Sequence, residues 1–82
     1  MEKLIKAIEL ADRGKWEEAH IIVQNDGSRL SNWIHANLHR QEGDIGNAMY
    51  WYGRCGEKFT KISFEKEREQ ILQQINKKRI EQ

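Results

Sequence analysis

The chain has 82 residues, of which 38% are hydrophobic and 33% are charged, and its formal net charge at pH 7 is +1. This length predicts a single domain with a small hydrophobic core. The 14 basic and 13 acidic residues are interspersed along the chain, so the charge pattern favours neither nucleic-acid binding nor attraction to an anionic membrane.

Cysteine usage and hydropathy indicate the compartment. The single cysteine, Cys55, cannot form an intramolecular disulfide, which is typical of a reducing environment. The N-terminal segment lacks an apolar run long enough for a signal peptide, and no run elsewhere is long enough to span a membrane. We therefore expect a cytoplasmic protein.

Apolar spacing and the absence of proline predict an all-α chain. In the first helix Leu4, Ile8 and Ala11 form an apolar face, and Gly14 ends the helix. The five predicted helices cover about residues 2–13, 15–24, 29–42, 45–55 and 63–79.

Polar residues with capping chemistry precede the last three helices. Ser28, Asp44 and Ser63 are each expected to act as an N-cap, since their side-chain oxygens can accept hydrogen bonds from free backbone N–H groups. Glu65 and Glu67 lie in the early turns of the last helix, where the helix dipole favours anions.

The helices differ in the width of their predicted apolar faces. The third helix carries one stripe at i, i+4 and i+8, and the last helix carries a narrow stripe that predicts packing along one side only. The fourth helix is expected to bury four residues at the spacing i, i+3, i+4, i+7, namely Ile45, Ala48, Met49 and Tyr52.

A short pattern recurs 29 residues apart. The segments GKWEEA at residues 14–19 and GDIGNA at residues 43–48 share glycine, a polar residue, a large apolar residue, two variable residues and alanine. Two copies of this kind predict two stacked helical hairpins.

The pattern resembles the junction between the two helices of a tetratricopeptide repeat. In that family the glycine permits a tight turn, the large residue fills the groove between helices, and the alanine allows close approach. The matching positions are Gly14, Trp16 and Ala19 in the first copy, and Gly43, Ile45 and Ala48 in the second. The repeat here is shorter than the standard unit of roughly 34 residues and lacks its terminal proline.

This resemblance implies a single domain with three parts. These are a hairpin at residues 1–27, a second tetratricopeptide-like antiparallel hairpin at 28–56, and an amphipathic C-terminal helix at 63–82. Since two such hairpins are fewer than a solenoid usually needs, the last helix is expected to cap the second hairpin or to pair with its copy in a dimer.

The second copy also resembles a run found in small uncharacterised bacterial proteins. The shared residues are Trp-Ile-His-Ala, Leu-His-Arg, Gly-Asp, Asn-Ala and Trp-Tyr, all within residues 33–52. This resemblance implies no particular activity.

Two histidines suggest a possible metal site. His35 and His39 are one turn apart on the third helix, and Glu42 extends the row. Histidines at i and i+4 can bind a metal ion from one helix face, although packed histidines are the simpler interpretation. His20 can join this row if the hairpins stack tightly.

The segment from Met49 to Tyr52 predicts a partner-binding surface. Tyr50 and Arg54 point away from the apolar stripe of the fourth helix, and Trp51 lies at its border. Tyrosine, tryptophan and arginine are enriched in binding hot spots. Surface stacking without a partner is the alternative interpretation.

Together these features predict a small protein–protein interaction module, binding a protein partner or its own copy and not an enzyme. Its binding residues are expected among Tyr50, Trp51, Arg54, His35 and His39. No cofactor is predicted. The alternative is a small metal-binding or hydrolytic protein that uses His35 and His39.

Overall fold

A computed structural model of the chain describes residues 1–81, and Gln82, within the predicted last segment, lies outside the described residues. The described residues form five α-helices and contain no strand, which confirms the all-α prediction. The helices are α1 (Glu2–Asp12), α2 (Trp16–Gln24), α3 (Arg29–Gln41), α4 (Ile45–Cys55) and α5 (Phe64–Glu81). Within residues 1–81, no helix has both the length and the apolar character needed to cross a bilayer.

The helix ends follow the predicted capping chemistry. Ser28 Oγ accepts a hydrogen bond from Ser31 N at 3.2 Å, and Asp44 Oδ1 accepts one from Asn47 N at 3.2 Å. Gly14 and Gly43 follow α1 and α3 with φ angles of 77° and 84°. Only glycine adopts such positive φ angles without a steric penalty, so these two positions let the chain reverse direction between helices.

The central element is α3, which contacts all four other helices. Every residue from Leu30 to His39 is buried. The predicted single apolar stripe therefore describes only part of this helix. Several of its polar side chains, including Ser31 and Asn37, are buried and hydrogen-bonded to neighbouring elements.

The other four helices pack around α3. α1 packs against α2, α3 packs against α4, and α2 and α1 both contact α3. α5 packs against α3 and α1. Within the described residues, α5 reaches α4 through a side-chain contact, the hydrogen bond from the Tyr52 hydroxyl to Glu67.

The predicted inner face of α4 is partly wrong. Ala48 and Tyr52 are buried as expected, but Ile45 and Met49 are 47% and 51% exposed. The reason is that, within residues 1–81, α4 lies close to the backbone of α3 and meets α5 only through the Tyr52 side chain, so it needs only a narrow buried stripe. That stripe consists of Ala48, Tyr52 and Cys55.

α5 is attached to the rest of the fold through a buried carboxylate. Glu67 is 1% exposed, although its position in the first turns of the helix predicted only a favourable interaction with the dipole. It accepts hydrogen bonds from Trp33 Nε1 at 3.0 Å and from the Tyr52 hydroxyl at 2.6 Å. Asn37 Nδ2 and Arg40 Nη1 donate to its other oxygen at 2.8 and 2.9 Å.

These donors satisfy a carboxylate that is almost completely buried. The Arg40 guanidinium supplies a compensating charge, since it lies within salt-bridge distance and is itself largely buried. Burial and the neighbouring carboxylate raise the pKa of Tyr52, so its hydroxyl keeps its proton and acts as the donor. An anion with four donors from α3 and α4 therefore fixes the position of α5.

We expect Glu67→Leu to lower the free energy of unfolding by about 3–5 kcal/mol, because it leaves Arg40 and three other buried donors without their acceptor. Glu65→Leu is the matched control, since Glu65 is exposed two residues away on the same helix, and it should change stability by less than about 0.5 kcal/mol. Urea melts of both variants measure the difference. Equal stability of the two variants would contradict this account of how α5 is attached.

Candidate functional site

The three histidines of the chain meet at the contact between α2 and α3. His20 lies on α2, and His35 and His39 lie one turn apart on α3. The ring centroids of His20 and His35 are 4.6 Å apart, those of His35 and His39 are 5.0 Å apart, and those of His20 and His39 are 5.3 Å apart. One nitrogen from each ring lies within 4.8 Å of the others. We call these three residues the trihistidine cluster.

The closest contact in the cluster requires a neutral imidazole. The Nε2 atoms of His20 and His35 are 2.9 Å apart, so one must donate a proton and the other must accept it. Two protonated rings would both be donors and would repel each other. The cluster therefore holds at least one free nitrogen lone pair.

Burial also favours the neutral forms. His35 is 3% exposed, and desolvation together with the nearby His20 and His39 lowers its pKa to about 4. Desolvation, followed by the proximity of His39, lowers the pKa of His20 as well. Neutral imidazoles at physiological pH are the form in which histidine binds metal ions.

Two tryptophans hold the cluster in place. Trp16 stacks on His20 with ring centroids 4.6 Å apart, and Trp51 stacks on His35 at 3.9 Å. The Trp16 indole also donates a hydrogen bond to the Leu38 carbonyl at 2.7 Å, which ties the start of α2 to α3. Both rings thus restrict the rotation of the imidazoles that they contact.

A carboxylate orients the third histidine. Glu42 Oε1 lies 2.7 Å from His39 Nδ1, so in the neutral ring Nδ1 carries the proton and donates it to the carboxylate. This leaves Nε2 of His39 with a free lone pair. In metal sites, a histidine is commonly oriented by a carboxylate that accepts a hydrogen bond from the ring nitrogen not bound to the metal.

One polar atom of the cluster lacks a partner. Among the side-chain nitrogens and oxygens of residues 1–81, His35 Nδ1 is the buried atom for which the structure shows no hydrogen bond. Buried polar groups in native proteins are nearly always paired.

The cluster opens onto a pocket of about 340 Å³. Gln24 and Asn47 line the pocket together with the three histidines and Trp51. Its size is at the lower end of small-molecule sites, which measure about 300–1,000 Å³. The pocket therefore admits an ion with a small ligand.

The structure brings together only some of the predicted binding residues. His35, His39 and Trp51 share the pocket, and His20 joins them because α2 packs against α3. Tyr50 and Arg54 lie on the exposed side of α4, as predicted, and Arg54 Nη1 donates to the Tyr50 hydroxyl at 3.0 Å. The Arg54 guanidinium carbon lies 5.9 Å from the ring centroids of Tyr50 and Trp51, so it links the two regions.

Sequence reasoning did not assign Trp16, Gln24 or Asn47 to the site. The sequence predicts Trp16 in the core, and the structure shows it half-buried. Neither Gln24 nor Asn47 belongs to a recognisable motif. Cys55 is buried as expected, and burial raises the pKa of its thiol. It therefore lacks the electropositive, exposed setting of a reactive cysteine.

Fold and site define a small helical protein with a histidine-lined pocket. Comparison of the chain with protein-family models, with curated proteins and with solved structures found no match. The argument for function therefore depends on the geometry of the site.

We expect the metal-free protein to lose stability as the pH falls below about 6.5. The unfolded chain protonates His35 near 6.5, whereas the folded protein does so near 4, so the unfolded state binds more protons between these values. The loss attributable to His35 is about 3 kcal/mol when complete. Urea melts at pH 7.0 and pH 4.5 measure it.

His35→Gln is the control for this pH dependence, because glutamine is polar and does not titrate. Its stability should decline less between the two pH values than that of the wild-type protein. Equal declines in both proteins would show that His35 is not the titrating group.

Proposed function

We propose that this protein binds one divalent transition-metal ion through His20, His35 and His39. The observation that carries the proposal is the convergence of three imidazoles, from two different helices, with nitrogens within 4.8 Å of one another. Three histidine ligands are a known donor set for zinc. Imidazole nitrogen also favours zinc, copper, nickel and iron over magnesium or calcium, which prefer oxygen ligands.

The distances allow an ion with small movements of the side chains. Zinc–nitrogen bonds of about 2.0–2.1 Å in tetrahedral geometry place ligand nitrogens about 3.3–3.4 Å apart. The His20 and His35 nitrogens, at 2.9 Å, would separate slightly. The His39 nitrogen, which lies within 4.8 Å of the other two, would move toward them while Nδ1 keeps its contact with Glu42.

The energetic balance favours binding. An ion between His20 and His35 replaces their shared proton, and a neutral His35 bound through Nε2 must then carry its proton on the unpartnered Nδ1. A buried N–H without an acceptor costs about 1–3 kcal/mol. Three metal–nitrogen bonds offset a cost of this size.

The two carboxylates near His39, those of Glu42 and Asp44, have structural roles and are not assigned as metal ligands. Glu42 holds the His39 ring through Nδ1, and Asp44 caps α4 through the backbone of Asn47. Both carboxylates are exposed, and their contacts already have a structural purpose. We therefore assign the ion to the three imidazoles and the carboxylate of Glu42 to their orientation.

We expect the chelator-treated protein to bind one zinc or cobalt ion per chain. Replacing His20, His35 or His39 individually by glutamine should weaken binding by about 100-fold or more, since loss of an outer-shell partner alone typically costs 10–100-fold. Isothermal titration calorimetry measures both stoichiometry and affinity. Cobalt should also show the intense visible absorption of a tetrahedral site.

Glu42→Gln tests the orienting role and should weaken binding about tenfold. Glu57→Gln is its matched control, because Glu57 pairs with Arg29 outside the pocket, and its affinity should equal that of the wild type. Thermal melts show whether each variant is folded. Folded histidine variants that bind zinc as tightly as the wild type would contradict the proposal.

A second function is supported by the outer surface of α4, formed by Ile45, Met49, Tyr50 and Arg54. All four side chains are exposed, and two of them, Ile45 and Met49, are large and apolar. Such a surface suits a protein partner, including a second copy of the chain. We therefore also propose that the protein is a protein–protein interaction module. Trp51 and Arg54 connect its binding surface to the pocket.

We expect Tyr50→Ala combined with Arg54→Ala to weaken self-association or capture of a partner by about 2 kcal/mol or more, the scale of a hot spot. Stability should change by less than about 0.5 kcal/mol, because both side chains are exposed. Sedimentation equilibrium over a range of concentrations, beside a thermal melt, measures both quantities. Intact association with a lowered melting temperature would show that the pair has only a structural role.

The proposal also covers the class of the protein, its location and its partners. We infer a binding protein and not an enzyme, located in the cytoplasm, without a nucleic-acid partner. The tetratricopeptide-like organisation is supported by the buried alanines Ala19 and Ala48 and by the pairing of α1 with α2 and α3 with α4.

A further inference from the structure

Neighbouring side chains partly cover the trihistidine cluster. Trp16 stacks on His20, Trp51 stacks on His35, and Glu42 accepts a hydrogen bond from the second nitrogen of His39. The histidines also line a pocket together with Gln24 and Asn47. An ion at the cluster would therefore be accessible from the pocket.

The number of protein ligands indicates what occupies the open side of the ion. Zinc in a structural site is normally surrounded by four protein ligands, whereas three protein ligands leave a position for water or an added ligand. Asn47 is exposed, and its side chain is held at the start of α4 by the hydrogen bond from Nδ2 to the Asp44 carboxylate at 3.2 Å. Gln24 is exposed at the C-terminal end of α2.

Charge indicates the nature of the added ligand. Three neutral imidazoles contribute no negative charge, so a divalent ion keeps both of its positive charges. The nearby carboxylates of Glu17, Glu42 and Asp44 are on exposed residues, and Glu42 already accepts a hydrogen bond from His39. A partly buried cation with neutral ligands favours an anion in its open position.

We propose that the bound ion takes a small oxyanion, a carboxylate or phosphate group, as its fourth ligand. The inference rests on the proposed metal binding and specifies its ligand class. The oxyanion enters from the pocket that Gln24 and Asn47 line. We expect the amide of Gln24, and the Asn47 Nδ2 proton that Asp44 does not accept, to donate to its outer oxygens. A pocket of about 340 Å³ suits a small ligand.

The test uses the full chain loaded with one cobalt ion. Inorganic phosphate and acetate are titrated separately while the visible spectrum is recorded, since the cobalt absorption responds to a change of ligand. We expect a saturable spectral change with at least one of the two anions, and the stronger of the two identifies the preferred oxyanion. Gln24→Ala combined with Asn47→Ala should weaken anion binding at least tenfold and leave cobalt affinity unchanged.

Gln73→Ala combined with Asn76→Ala is the matched control, because it removes the same residue types from exposed positions on α5. This variant should bind the anion as the wild type does. A cobalt spectrum that neither anion changes would overturn the inference while leaving the proposed metal binding intact. Anion binding that survives the Gln24 and Asn47 substitutions would overturn the assignment of the pocket. Failure to take up cobalt would contradict both proposals.

Discussion

The fold depends on one buried anion, the Glu67 carboxylate. Besides it, α5 contributes a narrow apolar stripe, with Ile71 and Ile75 buried, and the buried Arg68, which donates to Asp12, Asn37 and Gln41. Because donors from both α3 and α4 reach this carboxylate, it connects three helices in one contact. A charge in this environment is tolerated only while its partners are present, so the contact specifies one arrangement of α5 more strictly than apolar packing does.

The same contact positions the candidate metal site. On α3, Trp33 and Asn37 face Glu67, whereas His35 and His39 lie roughly on the opposite side, since successive residues advance about 100° around a helix. The contact with Glu67 fixes the rotation of α3 about its axis, and this fixes the direction in which His35 and His39 point. α2 then places His20 against that face, supported by the Trp16 hydrogen bond to α3.

Local chemistry could be predicted from the sequence, and contacts between distant helices could not. The caps at Ser28 and Asp44 and the turns at Gly14 and Gly43 are decided within a few residues, so spacing was sufficient to locate them. The pair His35 and His39 was visible for the same reason. Burial of Glu67, exposure of Ile45 and the approach of His20 all depend on which helices pack together, and that information is absent from local periodicity.

The most direct measurement is a crystal structure of the zinc-loaded protein with anomalous scattering recorded at the zinc absorption edge. The account predicts one anomalous peak per chain, about 2.0–2.1 Å from a ring nitrogen of each of His20, His35 and His39. A peak bound instead by the carboxylates of Glu42 and Asp44, or zinc-saturated crystals without a peak at the cluster, would contradict the claim that these three imidazoles form a metal site.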